Sequence, residues 1–241
     1  MNDAQQRPEY IHRAPDDQRF KGRRRVKPVD MVVIHESVTK TAASAVRVLQ
    51  KRRLSVHYTI ERGGGGREDG RIVEHCEPEL ACAHAGVLNK RSIAIEVINP
   101  YYPKYARAGD EVIDARFAHK GRLILPSVAQ CESTWRLIRW LTTAYEVPLQ
   151  FPGLTDGGRF RWGRVKGIEP GVVAHHRTAH ADGLTVEAFC VLRYGGLNTE
   201  RAYDTMRRLA ASGKRVTDLP VGLYCEDWPK EASADELECS A

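Results

Sequence analysis

The stretch "VDMVVIHES", Val29 to Ser37, sets the fold class of this chain. An unbroken run of β-branched and aliphatic residues is typical of a buried strand. Two similar runs follow later, "RSIAIEVIN" at 91–99 and "GVVAH" at 171–175, and helical patterns lie between them. This alternation predicts a single α/β domain with a central mixed sheet flanked by helices.

The segments between these runs complete the expected fold. "SVHYTIERGGGGREDGRIVEH" at 55–75 predicts two strands joined by a glycine-rich connection. Its glycines are not a phosphate loop, because no GK[ST] follows them. Helices are predicted from the apolar periodicity of four segments, at 40–54, 126–147, 184–194 and 198–212.

Composition divides the chain into three parts. Residues 1–28 end in the basic cluster "KGRRRVKP" and predict a flexible arm, which is either solvated or in contact with an anionic polymer. Residues 29–212 form the predicted folded domain, with insertions at about 100–125 and 150–170. Residues 213–241 become acidic and predict a poorly ordered tail.

The overall charge and the cysteines indicate which partners and which cellular compartment to expect. The 241 residues carry a net charge of +6, which favours polyanionic partners such as nucleic acid, anionic wall polymer or anionic lipid. The six cysteines form no CxxC pair and are typical of free thiols in a reducing compartment. The first residues lack the apolar segment of a secretory signal, so we expect cytoplasmic synthesis and no membrane insertion.

Two histidines and an aspartate form a candidate metal site. His35 and His175 each end an apolar strand, and Asp182 follows His175 by seven positions within "VVAHHRTAHADG". Strand ends deliver side chains to a shared cleft, and a catalytic zinc ion takes three protein ligands and leaves one position open. The pattern predicts a zinc site at the strand ends.

Four motifs together resemble the zinc-dependent N-acetylmuramoyl-L-alanine amidases, which include phage amidases, wall-recycling amidases and peptidoglycan recognition proteins. The motifs span residues 30–190: "VVIHES", "SVHYTIERGG", "HAGVLNKRSIAIEVIN" and "GVVAHHRTAHADG". The resemblance implies Zn²⁺ as cofactor and His35, His175 and Asp182 as its ligands, with His175 preferred over His176. The family often has D-P-G at the third ligand, whereas this chain has "ADG".

The same resemblance implies the catalytic and binding residues. "SIAIE" matches the "SIGIE" of recycling enzymes and makes Glu96 the general base, because Val56 occupies the position where other members have a tyrosine. His180 stands where many members have a lysine that stabilises the oxyanion. An alternative makes His180 the third zinc ligand, oriented by Asp182. His84 and Asn89 are implied to bind the substrate.

The implied reaction is hydrolysis of the amide bond between N-acetylmuramic acid and the L-alanine of the stem peptide. We expect an endolysin-like enzyme, a monomer that acts on peptidoglycan or muropeptides after release to the wall through a separate pore or lysis. The alternatives are a cytoplasmic recycling amidase that acts on anhydro-muropeptides and a non-catalytic peptidoglycan-binding module. Nucleic acid is not an expected partner, because no helix-turn-helix or interleaved aromatics accompany the basic clusters.

Overall fold

The computed structural model describes residues 7–25, 27–155, 158–165, 167–177 and 182–220. A six-stranded sheet forms its centre, and strands are numbered along the chain. In spatial order the strands are β1 (Ile11–Arg13), β5 (Ile72–Glu74), β4 (Tyr58–Ile60), β7 (Ser92–Val97), β3 (Met31–Glu36) and β12 (Gly171–Ala174). Only β4 and β5 are antiparallel within this sheet, so the predicted mixed sheet and its glycine-rich hairpin are confirmed.

The two faces of the sheet differ because successive side chains of a strand point to opposite faces. On one face the aliphatic residues of β3 and β7 pack against the helices α2 (Val128–Ala144) and α3 (Leu184–Tyr194). On the other face Met31, Val33 and Val173 pack beneath Leu88. The first face is the main core, and the second face carries His35 at the end of β3.

Polar side chains fix the starts of the helices. In α1 (Ala42–Lys51), Thr41 and Ser44 form a reciprocal capping box, and Ser127 and Gln130 do the same at α2. In α4 (Thr199–Ala211), the Asn198 side chain accepts the amide hydrogen of Arg201. All four predicted helices are present. Among the described residues, no helix is long and apolar enough to cross a membrane.

Smaller elements surround the main sheet. Their strands are β2 (Arg23–Arg24) with β6 (Leu80–Ala81), β8 (Val112–Asp114) with β9 (Arg122–Ile124), and β10 (Leu154–Thr155) with β11 (Arg159–Arg161) and β13 (Val216–Asp218). Short 3₁₀ helices cover Asp16–Gln18, Gly86–Lys90, Pro103–Tyr105, His119–Gly121 and His175–Arg177. The two predicted insertions therefore contain the β8–β9 and β10–β11 hairpins.

The described parts of the two terminal segments differ from their predicted disorder. Residues 7–25 add β1 to the edge of the main sheet, and Ile11 is buried. In the C-terminal segment β13 pairs with β11, and Trp162 Nε1 donates a hydrogen bond to Thr217 Oγ1 at 2.9 Å. Both strands have three residues, which is too short for an apolar pattern to predict. Residues 221–241 lie outside the described part of the chain.

Candidate metal centre and active site

The ends of two neighbouring strands bring the predicted metal ligands together. Strands β3 and β12 are parallel with Ile34 opposite Ala174, so His35 and His175 leave the sheet side by side, with ring centroids 4.4 Å apart. Asp182 Oδ2 lies 3.8 Å from His35 Nδ1 and 3.4 Å from His175 Nδ1. One ligand atom from each residue falls within 4.8 Å of the others.

The donor set and its burial fit a zinc ion. The side chain of Asp182 is only 11% exposed, and its Oδ1 atom is buried without a hydrogen-bond partner among the described residues. A buried carboxylate oxygen without a donor is costly, and a cation removes that cost. Two imidazoles and one carboxylate form the ligand set of a catalytic zinc site.

The backbone at Gly183 explains why glycine follows Asp182 in this chain. Gly183 has φ +82°, and a Cβ there would lie 2.5 Å from the carbonyl oxygen of Ile34. Its N–H donates to Glu36 Oε2 at 2.7 Å. Proline could supply neither this φ nor this donor. Glu36 thus positions the turn that carries Asp182, in a geometry that excludes the proline of D-P-G.

Glu36 is itself a buried acid. Its Oε1 atom accepts a hydrogen bond from Asn99 Nδ2 at 2.9 Å. Burial nevertheless raises the pKa of Glu36 to about 7, against the hydrogen bonds from Asn99 and Gly183. Glu36 therefore adds an ionisable acid beside Asp182 without pointing a free oxygen at the candidate ligands.

A chain of hydrogen bonds leads away from His35. His35 Nε2 lies 3.0 Å from His84 Nδ1, and His84 Nε2 lies 3.1 Å from Ser92 Oγ. Ser92 Oγ donates its proton to the carbonyl oxygen of Leu88 at 2.7 Å. Burial, followed by the nearby His35, holds the pKa of His84 well below its usual range, so the ring is neutral.

These contacts select one tautomer for each ring. Because the single hydroxyl proton of Ser92 goes to Leu88, Ser92 Oγ accepts a hydrogen bond from His84 Nε2–H. His84 Nδ1 then carries a lone pair and accepts from His35 Nε2–H. The lone pair of His35 is left on Nδ1, the nitrogen nearest Asp182. This is the tautomer that a metal ligand needs.

Glu96 lies beside the candidate metal site on the adjacent strand. It is opposite His35 in the β3–β7 register, and both side chains therefore lie on the same face of the sheet. Burial, followed by the charges of Asp182 and Glu36, raises the pKa of Glu96 to about 8. A carboxyl group in this range is suited to exchange a proton near neutral pH.

The sequence profile described as N-acetylmuramoyl-L-alanine amidase matches residues 25–183. The chain belongs to this family. The predicted amidase is thereby confirmed as an N-acetylmuramoyl-L-alanine amidase at the level of the family. No curated protein matches the chain.

The chain is similar to several solved structures of hydrolases. The hydrolase AmiA of Staphylococcus aureus, in complex with its ligand, is 15% identical, with a TM-score of 0.46 over 82% of this chain and 81% of that chain. The amidase LysC from Clostridium intestinale is 15% identical, with a TM-score of 0.42 over 72% of this chain and 87% of that chain. AmiD from E. coli is 21% identical, with a TM-score of 0.37 over 49% and 45%.

The two predicted substrate-binding residues of this amidase lie on one loop. Asn89 Oδ1 accepts the backbone N–H groups of His84 and Ala85, at 2.9 and 2.6 Å, and so shapes the turn. Both ring nitrogens of His84 are engaged, by His35 and Ser92. These contacts give both residues a positioning task, and their contact with substrate stays a prediction.

The remaining predicted residue, His180, lies outside the described residues, so its role as oxyanion stabiliser or third ligand stays a prediction. Two contributors were missed in the sequence: Glu36, which holds the Gly183 turn, and Ser92, which ends the imidazole chain. In the sequence each of them is a polar residue inside or at the end of an apolar run. This pattern marks the residue as unusual but does not predict which distant residue it contacts.

Proposed function

We propose that this amidase is a zinc-dependent peptidoglycan hydrolase that cleaves the bond between N-acetylmuramic acid and L-alanine, with an endolysin-like action on wall material. The observation that carries the proposal is the convergence of His35, His175 and Asp182 around the unpartnered Asp182 Oδ1. The sequence motifs and the family support the same substrate bond.

Three side chains would bind the zinc ion, and a fourth transfers protons. His35, His175 and Asp182 would hold the zinc ion, which when bound polarises the scissile carbonyl and lowers the pKa of a coordinated water. Glu96 accepts a proton from the attacking water on its carboxylate and delivers it to the departing alanine nitrogen. A nearby cation favours the ionised form of Glu96, which the base step requires.

A binding module without catalysis is the alternative from another class. Glu96 argues against it, because a module that only binds has no need of an acid held beside the ligand cluster at a cost of burial. The second alternative, a recycling amidase, uses the same chemistry on a smaller substrate. It differs in whether whole wall or a soluble anhydro-muropeptide is cleaved faster.

The test combines metal content with peptide release. We expect one zinc ion per chain and release of stem peptide from purified peptidoglycan, lost with a chelator and restored by Zn²⁺. Glu96→Gln should retain zinc and lose about 10²- to 10⁴-fold in rate. Glu132→Gln, on a partly exposed ion pair away from the site, is the control.

Each result has a defined meaning. Zinc with a near-normal rate in Glu96→Gln would remove Glu96 from the mechanism. Zinc without release from either whole wall or soluble anhydro-muropeptide would establish a binding module. Cleavage of the soluble muropeptide alone would establish the recycling amidase in place of the endolysin-like enzyme.

A further inference from the structure

A cationic pocket lies beside the loop that supports the metal site. It has a volume of about 810 Å³, and the residues that line it include no acid. Its cations come from three separate segments and are Lys21, Arg23, Arg24, Arg25, Arg53 and Lys90. All except Arg25 are exposed, and none of these five has a carboxylate within 4.0 Å among the described residues. We call this pocket the arm pocket.

Arg25 adds a positionally fixed charge to the wall of the arm pocket. Its Nη2 atom donates to the carbonyl oxygen of Ser92 at 2.8 Å, and its Nε donates to that of Pro78 at 2.9 Å. Its Nη1 atom is buried and has no acceptor among the described residues. A guanidinium held by two backbone hydrogen bonds therefore fixes a positive charge in the wall of the pocket, beside the exposed cations.

A second cationic pocket lies next to His176, the neighbour of the predicted ligand His175. It has a volume of about 800 Å³ and again no acid among its lining residues. Its cations are Arg116, Arg159, Arg161, Arg164, Lys214 and Arg215, all of them exposed. Phe117 and Trp162 stack within it, with ring centroids 4.8 Å apart. We call this pocket the hairpin pocket.

Short contacts connect both pockets to the metal site. Asn89 lines the arm pocket and binds the backbone N–H of His84, whose ring contacts His35. Phe117 of the hairpin pocket lies edge-on to His176, with centroids 6.4 Å apart, and His176 follows His175. The two pockets thus connect to the cluster through different histidines. The arm pocket connects through His84 to His35, and the hairpin pocket connects through His176, the chain neighbour of His175.

We propose that the arm and hairpin pockets bind the negatively charged groups of a polyanionic wall polymer near the scissile amide. The proposal rests on the amidase function proposed above and specifies its substrate as polymeric. A small muropeptide carries few anionic groups and gains little from two separate cationic pockets. A polymer with repeated phosphate or carboxylate groups meets both pockets at once, and the two contacts reinforce each other.

The test uses paired charge reversals in the full chain. Arg24→Glu with Lys90→Glu reverses two of the six charges that line the arm pocket, and Arg116→Glu with Lys214→Glu reverses two of the six that line the hairpin pocket. Arg47→Glu with Arg201→Glu changes the net charge equally at exposed positions that line neither pocket. Binding of fluorescent polyphosphate and of poly-L-glutamate of equal length is measured at 50 and 200 mM NaCl, with a single-stranded oligonucleotide for comparison.

We expect each pocket variant to bind at least one polyanion about tenfold more weakly at 50 mM salt, with a smaller difference at 200 mM. The control variant should lose clearly less. On insoluble peptidoglycan the pocket variants should slow, whereas their rates on a soluble muropeptide should match the wild-type rate. A preference for polyphosphate identifies phosphodiester groups as the ligand, and a preference for polyglutamate identifies carboxylates.

Three results would overturn the proposal: equal binding by pocket and control variants, equal slowing on soluble and insoluble substrates, or tighter binding of the oligonucleotide than of either polyanion. The last result would assign the pockets to nucleic acid. Polyanion binding is measured without hydrolysis, so it separates this proposal from the amidase assignment. Polyanion binding without muropeptide cleavage would contradict the amidase function. The pockets would then bind polyanions in a protein that does not cleave the wall.

Discussion

Two groups of largely buried ionisable side chains are built differently. In the first, Arg177 and Glu187 form an ion pair with an Nε–Oε2 distance of 2.9 Å, and both side chains are completely buried. The second is the candidate metal site, which combines histidines with three acids, Glu36, Glu96 and Asp182. The first group contains its own compensating charges, whereas the second contains an excess of acid.

The ion pair is complete in charge, although Arg177 Nη2 is buried without a hydrogen-bond partner among the described residues. The Arg177 guanidinium also donates to the carbonyl oxygens of Arg161 and Gly163, which ties the β11 hairpin to α3. Gly153 leaves room for it, because a Cβ there would come within 1.9 Å of Arg177 Nη2. The Arg177 side chain occupies the space that a Cβ at position 153 would need, so glycine is required at this loop position.

The metal site lacks such completion. The described groups that act on the Glu96 carboxyl are acidic, and Asp182 keeps a buried oxygen without a donor. Acids placed together without a balancing cation reduce stability. The first group is thus balanced within the fold, whereas the second is left with negative charge that a bound cation would balance.

The largest expected effect is on the ion pair. Glu187→Ala leaves the Arg177 charge buried without its partner, so we expect the free energy of unfolding to fall by about 3–5 kcal/mol. Urea denaturation at pH 7 measures it. Glu132→Ala breaks the partly exposed pair with Arg193 and should cost about 0–1 kcal/mol. Equal losses in both variants would contradict the structural role of the buried pair.

The strands that carry the candidate metal site were predictable from sequence. The long-range contacts that hold its side chains in place were not. β3, β7 and β12 follow from unbroken apolar runs, and their parallel pairing places His35 next to His175. By contrast, the bond from Gly183 N–H to Glu36 joins residues far apart in the chain. Such a contact depends on the final packing of two segments, and no local pattern encodes it.

The second prediction tests the excess of acid directly. Zn²⁺ at about 100 times its Kd should raise the free energy of unfolding by about 2.7 kcal/mol, because it binds the folded site. Asp182→Asn should lose most of this gain, and Glu132→Ala should keep it. Denaturation with Zn²⁺ and with a chelator measures both. An equal gain in Asp182→Asn would exclude Asp182 as a ligand and favour the alternative in which His180 binds the metal.

The third prediction concerns His57, a buried base that is kept neutral. Its Nδ1 accepts the Ala94 N–H at 2.9 Å, and its Nε2–H donates to the carbonyl oxygen of Leu80 at 2.9 Å. Burial lowers the pKa of His57 to about 3, so only the unfolded chain takes up its proton between about pH 6.5 and 3. Its contribution to stability is therefore complete above pH 6.5 and is lost as the pH falls.

Because of His57, the free energy of unfolding should be about 2 kcal/mol lower at pH 5 than at pH 7. His57→Gln keeps an acceptor for Ala94 and removes the titration, so its free energy of unfolding should change less between the two pH values. Urea denaturation at pH 7 and pH 5 measures the difference for both proteins, and groups common to both cancel. An identical pH dependence would show that His57 is protonated without cost.

The smallest expected effect tests how the neutral histidines serve the acidic cluster. Ser92→Ala removes the acceptor that holds the proton on His84 Nε2, so the tautomers of His84 and His35 are no longer fixed. Because the lone pair of His35 is then directed at the ligand position for only part of the time, zinc affinity should fall about tenfold. Ser55→Ala is the matched control, since Ser55 Oγ accepts the Ala83 N–H on the same loop and contacts no imidazole.

Imidazole ¹⁵N shifts of the chelated protein report the tautomers before any metal or substrate is added. In the wild type we expect a protonated Nε2 and an unprotonated Nδ1 on both rings, and in Ser92→Ala an average of the two tautomers. Weaker zinc binding with unchanged shifts would make Ser92 a packing residue. Changed shifts with unchanged zinc affinity would show that Asp182 and His175 alone determine the affinity. In that case the metal binds His35 equally well without the orienting contacts from His84 and Ser92.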